Sequence, residues 1–282
     1  MSKLTLLALF VAPLALGALL LAADGPAEAP KSEAPKAEAP KTEAPKAAST
    51  DPAKPAEAAS AAKKYPDQDP QKGSLEGQVT IDGDAPTLEA KVIPPGHQDH
   101  AACIAHLKEE RWILSDKKEV KDVVVSVLGY KPAEKVKPRE LTLDNKGCTF
   151  VPHISATTVG SALTVTNSDA FVHNTHANLA LQANFAVGPG QSETKKLPKD
   201  GWVAINCDFH PWMFAHIKVF AHDLFDLTST DGAYKIANIP PGEYEIEIWH
   251  EYPLVATKQK VKIEAGKATK LDVALKVVPP KK

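Results

Sequence analysis

Apolar and polar residues alternate along most of the chain beyond residue 72, and the alternation has the period of a strand. Leu75 to Ile81 alternates and is stopped by Asp82-Gly83-Asp84, which predicts a strand and a turn. Asp122 to Leu128 is dense in β-branched residues and predicts a strand with at least one buried face. Leu141 to Leu143, Cys148 to Phe150, Ile154 to Val159 and Ala162 to Thr166 are short apolar runs separated by Asn145-Lys146-Gly147 and by Gly160. Trp202 to Ile205 and Ala215 to Phe220 follow beyond a loop at Pro189-Gly190. Short strands spaced this closely predict a Greek-key sandwich. Further on, Tyr234, Ile236, Tyr244, Ile246 and Ile248 alternate with polar residues around turns at Asp231-Gly232 and Pro240-Pro241-Gly242, giving one buried sheet face. Two more strands, Lys260 to Ile263 and Thr269 to Leu275, flank Ala265-Gly266. Only His97 to Trp112, past the Pro94-Pro95-Gly96 break, has a mixed pattern compatible with a short helix. The fold class is therefore all-β.

Before residue 73 the pattern is different. Residues 1–23 carry one lysine, Lys3, then an apolar run from Leu4 to Leu21 and small residues at Ala22-Ala23. This predicts a secretory signal peptide, or an N-terminal anchor if it is not cleaved. Residues 24–72 are rich in Ala, Pro, Glu and Lys, and a five-residue unit recurs from Lys31, Lys36 and Lys41. Such a segment has too little apolar surface to offset its chain entropy, and its prolines favour extended geometry, so it reads as a disordered linker. The expected location is exported, either periplasmic or held at the cell envelope. The chain has 282 residues and a formal charge of -2, which argues against a nucleic-acid partner.

One stretch concentrates chemistry. Asn206-Cys207-Asp208-Phe209-His210-Pro211-Trp212-Met213 offers a thiolate, an imidazole and a thioether ahead of the strand Ala215 to Phe220. One Cys and two His in a plane, with a Met as a long axial ligand, is a copper site for one-electron transfer. A structural zinc site would require further Cys or His and has no use for a Met. The missing imidazole is expected from His173, which follows the strand ending at Thr166, and its neighbour Asn174 is placed to brace the thiolate.

The Cys-x-x-His-Pro-x-Met loop, with Asn-x-x-x-x-x-His-Asn upstream, resembles the blue copper proteins (cupredoxins) of the amicyanin and plastocyanin kind. The resemblance runs from Leu141 to Phe220 and includes Phe150-x-Pro152 and Val159-Gly160. It implies a type 1 copper site with His173, Cys207, His210 and Met213 as ligands, and Asn174 as the tie between the two ligand loops. It also implies that His210 reaches the surface beside Pro211 and Trp212, where a redox partner protein would dock. Cys148, His153 and His176 depart from the family pattern and leave a second metal site open. Separately, Thr230 to Tyr244 resembles the carboxypeptidase-regulatory-like (transthyretin-like or prealbumin-like, carbohydrate-binding-like) sandwiches, whose opening Gly-x-Val strand is matched by Gly77-Gln78-Val79. The expected organisation is residues 73–137 and 221–278 as that sandwich, discontinuous in sequence, with a cupredoxin domain over residues 138–220 inserted between its strands; the alternative is three consecutive β segments.

Three cysteines are an odd number for an exported chain. With Cys207 a ligand, Cys103 and Cys148 remain, either as a disulfide or as two free thiols. His153, His176, His216 and His250 lie in or beside apolar strands and read as structural; a second copper site would need several histidines to converge. The leading reading is an exported copper electron carrier rather than an enzyme. The alternatives are a carbohydrate or surface-polymer binding module with a structural copper, and a copper-dependent oxidoreductase.

Overall fold

Strands carry nearly all the regular structure, as the period-two alternation requires. The computed structural model describes residues 63, 65–85, 91–107, 111 and 113–278, so the signal or anchor and most of the linker lie outside the described residues. The described residues belong to one compact unit, Glu57–Lys282. In chain order they form β1 (Gly73–Asp82), α1 (His100–Ile104), β2 (Val124–Val127), β3 (Leu141–Asn145), β4 (Phe150–Val151), β5 (Ile154–Thr158) and β6 (Ala162–Asn167). Then come β7 (His173–Leu179), β8 (Ala183–Val187), β9 (Ser192–Lys196), β10 (Gly201–Asn206), β11 (Phe214–Phe220) and β12 (Phe225–Leu227). The last are β13 (Ala233–Ile239), β14 (Gly242–Trp249), β15 (Thr257–Ile263), β16 (Ala268–Lys270) and β17 (Val273–Lys276). Among the described residues no helix is long and apolar enough to cross a membrane.

The strands form two pairs of sheets. In one pair, β13-β1-β16 with β17 also on β1 faces β12-β2-β14-β15 across a core that includes Leu75, Val79, Val125, Tyr234, Ile236, Ile246 and Leu275. In the other, β5-β11-β10-β7-β8 faces β4-β3-β6-β9 around Leu143, Phe150, Leu163, Val165, Val203, Ile205, Ile217 and Cys207. The first pair draws its strands from both sides of residues 141–220, and β1 pairs with β13 (Gly77 opposite Tyr234), β16 and β17. A smaller cluster, Val124, Ile154, Phe220 and Phe225, joins the two pairs, with Trp202 and Trp249 packed against it.

The run read as one strand from Thr269 to Leu275 is broken. Leu271 N–H still donates to the Glu76 carbonyl, but opposite Gly77 the side chain of Asp272 accepts from Gln78 N–H in place of the backbone. A Cβ on Gly77 would lie 2.0 Å from the Leu271 carbonyl oxygen, so only glycine admits this crossing. Cys148 is likewise not in a strand. Gly147 and Cys148 both have positive φ (62° and 59°) and form the tight turn that joins β3 to β4.

Candidate metal centre

The centre is built on the β10–β11 hairpin. These strands pair from Gly201 opposite Val219 to Asn206 opposite Phe214, so residues 207–213 are forced into a loop. The loop is pinned from within: Cys207 N–H donates to the Met213 carbonyl at 3.2 Å, and Met213 N–H donates to the His210 carbonyl at 2.8 Å. On the other side of β10, β7 pairs with Val203 to Asn206 and starts at His173. His173 is thus the first residue of a strand rather than part of a loop. Adjacent strands bring their ends, and hence these side chains, together.

Cys207 Sγ lies 3.5 Å from His210 Nδ1 and 3.9 Å from His173 Nδ1, and the two Nδ1 atoms are 3.0 Å apart. All three residues are buried. A point about 2 Å from all three atoms exists within their triangle, which is the length of a bond from a first-row metal ion to imidazole or thiolate. Met213 is fully buried in the same hydrophobic cluster as Cys207.

The far nitrogens of both rings are held by carboxylates. His173 Nε2 is 2.9 Å from Asp169 Oδ2, and His210 Nε2 is 3.1 Å from Asp99 Oδ2. A carboxylate can only accept, so each ring donates from Nε2 and turns its Nδ1 lone pair towards Cys207. Burial opposes ionisation of Cys207, but hydrogen bonds from the two rings in their protonated form, and from the backbone N–H groups of Asn174 and His210, outweigh it and bring its pKa down to about 6. With the rings neutral and their protons on Nε2, two lone pairs and the sulfur converge in a dry site with no donor between them, and such a set calls for a cation. Burial also disfavours a charged His173, yet Asp169 and the thiolate raise its pKa, so a proton would compete with a metal there.

Asn174 ties the segments that carry His173 and Cys207 together. Its Oδ1 accepts from Asp208 N–H at 2.6 Å, and its Nδ2 donates to Asp208 Oδ2 and to Asn184 Oδ1, both at 2.8 Å. Cys103 and Cys148 are joined in a disulfide, and Cys207 is the free cysteine. His176 sits at the rim with its Nδ1 2.9 Å from Asp208 Oδ1 and is not brought to the centre.

Two features differ from expectation. His210 does not reach the surface: it is fully buried, and Trp212 is 6% exposed. The segment at His97 to Asp99 covers them, with the His97 ring 5.1 Å from that of His210 and 4.9 Å from that of Trp212, and His97 Nε2 2.9 Å from the Phe209 carbonyl. The exposed apolar group here is Phe209. Secondly, Asp99 and Asp169 were not anticipated as partners of the His210 and His173 rings. Asp169 could have been found from its place four residues before His173, but no sequence signal connects Asp99 with a loop 111 residues away.

No family model matches the chain, and no curated protein matches it. Among solved structures the chain is similar to cupredoxins. A Cu-containing nitrite reductase from Thermus scotoductus SA-01 is 23% identical, with a TM-score of 0.26, over 32% of this chain. The aligned part is 24% of that enzyme, so this chain spans about a quarter of its length. A purple cupredoxin from Nitrosopumilus maritimus is 20% identical over 28% of this chain and 99% of its own, at a TM-score of 0.26. A mutant of amicyanin in the Cu(I) form is 17% identical over 34% of this chain and 98% of its own, again at 0.26. The donor atoms described above, rather than this distant likeness, point to a metal.

Proposed function

We propose that the chain is an exported copper-binding electron-transfer protein with His173, Cys207, His210 and Met213 as ligands of a single ion. The observation that carries this reading is the meeting of one thiolate and two Nδ1 lone pairs, each ring fixed from behind by a carboxylate. Bound copper would supply a one-electron couple, tuned by its axial ligand and by the surroundings of the thiolate. The protein's part is rigidity. The hairpin hydrogen bonds, Asn174 and the two carboxylates hold the donors in place whether or not an electron arrives, and burial keeps water out. The Cys103–Cys148 disulfide supports an oxidising compartment outside the cytoplasm. Residues 73–137 and 221–278 are read as a carboxypeptidase-regulatory-like sandwich into which residues 138–220 are inserted. A redox partner would meet the centre near the exposed Phe209 and Pro211, with the electron crossing the His97 cover or the protein beside it.

The direct test is the absorption spectrum of the full chain loaded with one equivalent of copper. An intense blue or purple band that bleaches on reduction and returns on oxidation is the expected result; a colourless, redox-silent complex would overturn the reading. Asp99→Asn gives a second check. The variant keeps a hydrogen-bond acceptor for His210 Nε2 but removes the charge, so metal affinity should fall about 10-fold or more, and the reduction potential should rise because the reduced ion carries less charge to stabilise. Competition against a chelator and redox titration measure the two effects.

A further inference from the structure

A second cluster of donors lies where the two pairs of sheets meet. His153 immediately precedes β5, His216 lies on the neighbouring strand β11, and Glu251 follows β14 in the other sheet pair. One nitrogen of His153, Nδ1, is 3.0 Å from the Phe214 carbonyl oxygen. A carbonyl can only accept, so Nδ1 carries the ring's proton and Nε2 is a bare lone pair when the ring is neutral. That Nε2 is in direct contact with Glu251 Oε1. The carboxylate's other oxygen, Oε2, is 3.6 Å from His216 Nε2. The donor atoms of all three residues lie within 4.8 Å of one another.

The site is built rather than casual. His153 is 5% exposed and Glu251 9%, while His216 is half-buried and gives the cluster an edge open to solvent. β11 pairs with β10 on one side and β5 on the other, which fixes the His216 backbone, and the rings of Trp202 and Trp249 meet its imidazole edge-on. Two acceptor atoms in contact inside a protein require a proton or a metal ion between them. A simple imidazolium–carboxylate pair accounts for His153 and one oxygen. A second imidazole nitrogen, that of His216, faces the other oxygen at 3.6 Å and extends the donor set beyond that pair. Two imidazoles and a carboxylate with a solvent-facing edge are the donor set of a first-row divalent ion that keeps open coordination positions. The Phe214 carbonyl behind His153 is the outer partner that such a ligand ordinarily has.

We propose that His153, His216 and Glu251 bind a divalent cation of the zinc class, in a site shared between the two pairs of sheets and separate from the Cys207 centre. Because its ligands come from both pairs, binding there fastens one to the other, and an ion that binds only the folded chain raises its stability.

The test compares full-length wild type, Glu251→Gln and His216→Gln, each first loaded with one equivalent of copper, then dialysed against Zn2+ and analysed for metal. Wild type is expected to retain one more zinc per chain than either variant. Its unfolding midpoint should rise with added zinc by several degrees more than theirs. Any zinc taken up at the Cys207 centre is common to all three proteins, so the difference reads the second site even if copper does not occupy the first. If Glu251→Gln does not fold, His216→Gln, at a half-buried strand position, carries the comparison. Equal zinc content and equal midpoint shifts in wild type and His216→Gln would overturn the proposal and leave the cluster as a proton-bridged pair.

Discussion

Cys207→Ala is expected to abolish the colour and the reversible redox response of the copper-loaded chain while leaving the fold in place. Cys207 is the one free thiol, and its sulfur completes the triangle with His173 Nδ1 and His210 Nδ1. Without it, two imidazoles and a thioether remain, and metal affinity should drop by more than the roughly 10- to 100-fold that loss of an outer partner costs. The stability of the metal-free protein should change little, by about 1 kcal/mol, because alanine is small and apolar and the hairpin is held by backbone hydrogen bonds that the substitution does not touch. Absorption spectroscopy and chelator competition on the variant, alongside circular dichroism to verify folding, make the check. A variant that stays intensely coloured would overturn the assignment of Cys207, whereas one that keeps copper as a pale, weakly absorbing complex would place that ion elsewhere, with His153, His216 and Glu251 the first alternative.

The centre was partly legible because three of its proposed ligands sit in one short loop whose flanking strands announce themselves by alternation. Strands with one buried face, such as β1, β13 and β14, were legible for the same reason. The edge strand β9, Ser192–Lys196, was not: it has no apolar residue, and its side chains are almost all exposed, so it has no pattern to show. β7 was missed for the opposite reason. Its His173, Asn174 and Thr175 are polar yet buried, because they serve the centre instead of a hydrophobic core. The turn at Gly147-Cys148 looked like the start of a strand since Cys148 adjoins Thr149 and Phe150. Its positive φ angles are stabilised by Asp169, whose carboxylate accepts both N–H groups of the turn, and that contact comes from a different part of the chain. The pairing of His153 with Glu251 spans 98 residues and two sheet pairs, and alternation carries no information about such a meeting.

Removing the disulfide, as Cys103→Ala with Cys148→Ala, is expected to produce the largest loss of stability and to weaken metal binding as well. The bond closes a separation of 45 residues, for which the loop-entropy relation gives about 4 kcal/mol, or a fall in melting temperature of roughly 10 °C for a domain of this size. Besides the disulfide, the described residues of this segment are held by Ile93 in the core and by the contacts of His97 and Asp99 with the 207–213 loop. The helix α1, His100–Ile104, is too short to be stable alone, and Cys103 is its only buried residue. Each end of the disulfide also touches an aspartate, at the backbone for Asp99 and at the side chain for Asp169, whose carboxylate orients a proposed ligand. Cys103 N–H donates to the Asp99 carbonyl, and Asp99 holds His210; Cys148 N–H donates to Asp169, which holds His173. Releasing the bond should therefore free Asp99 and the His97 cover from His210 while Asp169, fixed by its own turn, stays in place. Metal affinity should fall to about the level of Asp99→Asn, and adding that substitution to the disulfide-free protein should cost little more. Thermal unfolding and chelator competition on the two variants and their combination measure this coupling. Full additivity of the affinity losses would show that Asp99 keeps its place without the disulfide, whose role would then be confined to the stability of the chain.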